Sequence, residues 1–174
     1  QITKLGVKII LGKTFDASDV KGIKADVVLV ATGGTMVMPE IPGIRSRNVI
    51  SQSKLHGMLK FFLRFLSPGI LRTLTKIWMP VGNKVVILGG GLHGCELTEF
   101  LVKRGRKVTM MDTAETLEDK RIAGVNNRHF FEWTEKKGVK LLAGVTYERI
   151  TDKGIDIITR EGDKKTIEAD TIIP

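Results

Sequence analysis

A short glycine-rich run and one acid downstream of it carry the clearest chemistry in the sequence. Gly89-Gly90-Gly91-Leu92-His93-Gly94-Cys95-Glu96 satisfies the spacing G-x-G-x-x-G at Gly89, Gly91 and Gly94. In that pattern the first glycine permits a tight turn, the second lets backbone approach a pyrophosphate, and the third lets a helix pack against a strand. A helix starting there aims N–H groups and the positive end of its dipole at the anion. Asp112 lies 23 residues beyond Gly89, close to the spacing of about 20 at which a carboxylate accepts from the adenosine ribose hydroxyls. Gly89, Gly90, Gly91, Leu92, His93, Gly94 and Asp112 are therefore the candidate binding residues for a nicotinamide dinucleotide. Asp112, followed by Thr113, Ala114 and Glu115, favours NADH, because a carboxylate repels a 2′-phosphate. NADPH is the alternative, with Lys120 and Arg121 the cations that would have to swing in. A bare glycine turn also fits six residues, so the flanking elements decide.

Those elements alternate. Strands are predicted at Val7 to Leu11, Asp26 to Thr32, Lys84 to Leu88, Lys107 to Asp112 and Val139 to Leu142, with a closing group between Thr146 and Ile173. Val85-Val86-Ile87-Leu88 is apolar on both faces, as a parallel strand covered by helices requires. Leu97, Phe100, Leu101 and Val102 give the segment after the glycines a helix's buried face. From Val145 to Glu168 the signals change to turns, Asp152-Lys153-Gly154 and Glu161-Gly162-Asp163-Lys164, between alternating runs. The expected fold is a Rossmann-like three-layer α/β arrangement with a central parallel sheet and a three-stranded antiparallel meander.

An internal repeat organises the whole chain. Gly6 to Phe15 matches Gly138 to Tyr147 by residue type without a gap, and Ala25-Asp26-Val27-Val28 corresponds to Ala169-Asp170-Thr171-Ile172. The second copy has its Gly-rich loop 49 residues before Gly138. The equivalent loop of the first copy then falls before Gln1. This predicts two related dinucleotide-binding units: the rear part of one at 1–48, and a nearly whole one at 83–174.

Composition sets the outer bounds. Of 174 residues, 42% are apolar and 27% charged, which excludes disordered and fibrous classes. The 28 Lys and Arg against 19 Asp and Glu leave a charge of +9 and favour anionic partners. A single cysteine, Cys95, allows neither an internal disulfide nor a Cys-rich metal site, so a reducing, cytoplasmic setting is expected. His56 and His129 have no Cys or His at ligand spacing, and neither Cys95 nor His93 is assigned a chemical role: no metal ligand and no catalytic residue is assigned. Aromatic residues at 6% disfavour nucleic-acid binding. Gln1 at the start and Thr171-Ile172-Ile173-Pro174 at the end suggest an excised piece.

Taken together, Ala31-Thr32-Gly33-Gly34, Pro39-Glu40-Ile41-Pro42-Gly43-Ile44, Asn48-Val49-Ile50 and the Gly89 to Glu96 run resemble the nested two-dinucleotide flavoproteins. Within them the resemblance is to the C-terminal region of the 2,4-dienoyl-CoA reductase and 2-enoate reductase family, whose relatives include trimethylamine dehydrogenase. It implies that Thr32 and Gly33 belong to an FAD unit and Gly89 to Asp112 to the nicotinamide unit. It also implies that Glu96 lies near the nicotinamide end of the cleft; a helix-start acid favoured by the dipole is the plainer account of the same residue. The expected activity is hydride transfer from NADH to FAD, with electrons passed to an N-terminal barrel that holds FMN and an iron-sulfur cluster and reduces an enoate or enoyl-CoA double bond. The rival expectation is a non-catalytic module that holds ADP or mainly stabilises the assembly.

Residues 54–81 depart from that resemblance. They read as two helices broken at Ser67-Pro68-Gly69, with Lys54, Lys60, Arg64, Arg72 and Lys76 and no acid. The expectation is a peripheral basic insert at 49–82 that packs on the rest of a larger protein or contacts a CoA ester or a membrane surface. Lys103, Arg104, Arg106 and Lys107 are expected as a solvated helix end, and Trp78 and Trp133 as packing residues.

Overall fold

Strands with two apolar faces need cover on both sides, and the second half of the chain supplies it. The computed structural model describes residues 2–33, 38–65, 67–117 and 125–174; Gly34, Leu66, Lys120 and Arg121 lie outside them. In chain order the elements are a 3-10 helix at Ile2–Leu5, α1 (Ala17–Ile23), α2 (Gln52–Leu63), α3 (Pro68–Ile77), β1 (Lys84–Leu88), α4 (Leu92–Val102), β2 (Lys107–Met111), α5 (Val125–Lys136), β3 (Lys140–Leu142), β4 (Thr146–Thr151), β5 (Gly154–Ile158), β6 (Lys164–Glu168) and β7 (Thr171–Ile173). They form two compact units, Gln1–Thr35 and Met36–Pro174.

In the second unit β3, β2, β1 and β7 make a parallel sheet in that order, and β4, β5 and β6 an antiparallel meander. Alternation sorts the core into two clusters. Val85, Ile87, Val108 and Met110 pack with Leu97 and Leu101 of α4, while Val86, Met111 and Ile172 pack with Ile150, Ile155 and Ile157 of the meander. The Pro39 to Ile50 stretch runs along this second cluster: Ile150 N donates to Pro42 O at 2.7 Å, and Val49 bridges to Ile172 beside β7.

Four expectations change. Residues 7–11 and 26–32 are not strands among the described residues; in the first unit Val27, Leu29 and Val30 are 76%, 88% and 82% exposed. Without a neighbouring ladder, β-branched composition alone does not make a strand. The helical insert breaks at Ser67 as predicted, and Ser67 Oγ caps α3, but it is rooted and not peripheral. Leu55, Met79 and Val81 belong to the helix-side core with Val85 and Ile87. The basic helix end is only partly solvated. Arg104 lies 3.5 Å over the Phe100 ring and donates to Thr75 Oγ1 at 2.9 Å, tying the end of α4 to α3. Trp78 is 56% exposed and not a buried packing residue.

Candidate functional site

The three fingerprint glycines are needed for three different reasons. Gly89, at the end of β1, has φ +113, a conformation that L side chains avoid, and its N–H donates to Met111 O at 2.7 Å. A Cβ on Gly94 would stand 2.1 Å from Gly89 O, so this glycine lets α4 close onto the turn. Gly91 differs from both. It is the N-cap of α4 with φ −67, and a Cβ there would meet nothing within 4 Å. The protein by itself therefore does not require glycine at position 91.

No side chain caps α4 and its first turn has no acid. The start of the helix thus presents uncompensated N–H groups beside an open Gly91, as an anion site needs. Asp112 closes the other side. Its Oδ2 accepts from Gly90 N at 2.6 Å and its Oδ1 from Ala114 N at 2.9 Å. These bonds hold the carboxylate at the C-terminal ends of β1 and β2 and leave each oxygen a lone pair for a further donor. The backbone behind it is clamped as well, since Asp112 N donates to Leu142 O at 2.9 Å and Val145 N to Asp112 O at 3.2 Å.

Glu96 is exposed on α4, 3.6 Å from the Nδ1 of His93. Beside it, Leu92, Cys95, Glu99, His129, Phe130 and Trp133 line a largely apolar cleft of about 380 Å³ between α4 and α5. Cys95 is the buried member of this lining, and burial pushes its thiol up to about 11, so it stays neutral and unreactive near pH 7. The structure thus brings Gly89, Gly90, Gly91, Leu92, His93, Gly94, Glu96 and Asp112 to one end of the parallel sheet. Thr32 and Gly33 belong to the first unit, where both are exposed. Among the described residues no cluster of three or more His, Cys, Asp or Glu could hold a metal, and no helix is long and apolar enough to cross a membrane.

Two residues of this site escape a sequence reading. Leu117 covers Gly90, whose Cβ would lie 2.4 Å from Leu117 Cδ2. Tyr147 donates from its hydroxyl to Met111 O at 3.0 Å, and burial, reinforced by the Asp112 charge, holds its pKa well above the ordinary value. The repeat aligned Tyr147 with Phe15. The hydroxyl that distinguishes them is the available signal.

The profile of the pyridine nucleotide-disulphide oxidoreductase family matches residues 2–174. Among curated proteins, the chain is 26% identical over 175 residues to an NADH oxidase of Thermoanaerobacter brockii, covering 99% of this chain and 24% of that protein. It is 29% identical over 176 residues to a bilirubin reductase of Mediterraneibacter gnavus, covering 99% and 24%. Among solved structures, a 2-naphthoyl-CoA reductase in complex with 2-naphthoyl-CoA superposes with a TM-score of 0.64 at 28% identity, covering 99% of this chain and 23% of that one. The chain therefore spans about a quarter of the length of these relatives.

Proposed function

The chain belongs to the pyridine nucleotide-disulphide oxidoreductase family, and from that premise we propose that its second unit holds NADH for hydride transfer to FAD in a larger flavin-dependent oxidoreductase. Gly91 carries this reading. A glycine that neither the backbone nor the packing demands is explained by a pyrophosphate approaching its Cα, with the α4 amides as donors. Asp112 then accepts from the adenosine ribose, and the apolar cleft beside Glu96 receives the nicotinamide end. Bound NADH supplies the hydride; the protein's part is to hold the two halves of the dinucleotide in a fixed orientation.

The first unit is the rear part of the FAD-binding half, with Thr32 and Gly33 at its cofactor; the repeat supports this. The final acceptor is an enoate or enoyl-CoA double bond, reduced in a barrel domain with FMN and an iron-sulfur cluster. The sequence resemblance supports that assignment, as does the likeness to a reductase solved with 2-naphthoyl-CoA.

Replacing Gly91 by Ala tests the carrying observation. Stability in urea should fall by no more than about 1 kcal/mol, the cost of a poorer N-cap, because the added Cβ meets nothing within 4 Å, while NADH affinity falls at least tenfold, or about 1.4 kcal/mol. Undiminished NADH binding would remove the loop from the site. In the unaltered protein NADH should bind at least tenfold tighter than NADPH, about 1.4 kcal/mol, because Asp112 meets a 2′-phosphate with like charge. Equal affinities in calorimetry would mean that Asp112 does not face the ribose.

A further inference from the structure

The opposite end of the parallel sheet gathers lysines. Lys84, Lys107 and Lys140 are the first residues of β1, β2 and β3. Lys84 and Lys107 are register partners, and Lys140 pairs with Thr109, one same-face step along β2. Their immediate successors, Val85, Val108 and Leu141, all join the helix-side core. Because side chains alternate along a strand, the three lysines face the other way, toward the meander. On β6, Lys165 is the register partner of Ile157 and lies two residues from Ile167. Ile157 and Ile167 pack between the sheets, so Lys165 faces back toward the parallel sheet.

These four residues and Lys137 line one cleft of about 610 Å³. The single acid in its lining is Glu168, which pairs with Lys84 at 2.6 Å. Five lysines thus line a concavity whose lining offers one carboxylate, a concentration of positive charge that attracts counter-charge. Thr109, on the same face of β2 as Lys107, adds a hydroxyl group, and the lining has no aromatic ring, Asn or Gln with which to read a base. What remains is point-charge recognition, the way lysine holds phosphate.

We propose that this cleft is a binding site for a compact, multiply charged phosphate compound of the pyrophosphate type, separate from the dinucleotide loop. At ~3.3 Å per residue, a five-residue strand puts roughly 15 Å between the two ends of the sheet, so both sites can be filled together. The volume falls in the range of about 300–1,000 Å³ that small-molecule sites occupy.

The test is calorimetric titration of the intact protein with inorganic pyrophosphate at low salt, carried out with and without saturating NADH. Pyrophosphate should still bind at one site when NADH fills the Gly-rich loop. The paired change Lys107→Gln and Lys140→Gln keeps the aliphatic stems. It should weaken pyrophosphate at least tenfold without altering NADH affinity or the unfolding midpoint, while Lys103→Gln at the C-cap of α4 leaves pyrophosphate affinity unchanged. In the presence of NADH, ADP should bind no more tightly than pyrophosphate, because no group in the cleft contacts a nucleoside. Loss of all pyrophosphate binding in saturating NADH, or unchanged affinity in the double variant under that condition, would overturn the proposal. So would a tenfold advantage for ADP, or binding of a poly-glutamate peptide where pyrophosphate does not bind.

Discussion

Gly6 to Phe15 and Gly138 to Tyr147 are two stretches of ten residues with matching side-chain types, and they have different structures. The later stretch supplies β3, joined to β2, and enters β4 of the meander. The earlier one contains no strand, and Ile9, Ile10 and Leu11 are exposed. Yet the local backbone agrees at both glycines: φ is +74 at Gly6 and +68 at Gly138, +70 at Gly12 and +66 at Gly144. The same holds further on. Val27-Val28-Leu29 is exposed, whereas its counterpart Thr171-Ile172-Ile173 is β7, with Ile172 at 0% exposure. Turns set by glycine are local and form in both copies. A strand is a relation between segments, and the second copy provides the partners.

The sharpest test of that contrast is at its most buried position. Ile172→Ala should cost about 3 kcal/mol in the cooperative unfolding of the second unit, because it opens a cavity between the two sheets. Val28→Ala, the truncation at the matching site, should stay within about 0.5 kcal/mol in urea titration. Equal losses would show that Val28 is packed in a sheet after all. A smaller effect is expected at the turns. Gly144→Ala forces an alanine into the left-handed region at a cost of about 1 kcal/mol, registered in the unfolding of the second unit. Gly12→Ala carries the same local strain but should leave that transition unmoved; a matching shift would join the two copies into one cooperative body. Least in magnitude, Cys95 reports on whether α4 stays seated. With a thiol raised to about 11, the thiolate fraction is negligible at pH 7 and grows only as pH climbs toward that value. Alkylation in native conditions should therefore be far slower than after unfolding, and rapid labelling of the folded protein would mean that α4 lifts from the sheet.

Much of the site was readable because its signals are local. Gly89, Gly91 and Gly94 follow one another in the mechanical order that a turn, an approach and a packed helix require, and Asp112 directly follows the next strand. Leu117 and Tyr147 were not readable, since their roles arise from contacts with Gly90 and Met111 across separate elements. The helical insert shows the same division. Its break at Ser67-Pro68 is written in cap chemistry. That Leu55 and Met79 enter the core beside Val85 is a matter of packing.

Periodicity, turn residues and the Gly-rich spacing by themselves determined the α/β alternation, the meander, and the position of the dinucleotide loop, because each depends on residues within one or two turns of one another. The tertiary structure alone decided which of two like segments became a strand. It also decided that Arg104 left solvent for Phe100 and Thr75, and that lysines far apart in the chain came to line one cleft. These outcomes depend on burial and on ladder partners supplied from elsewhere in the chain, and no local pattern of side chains specifies a partner at a distance.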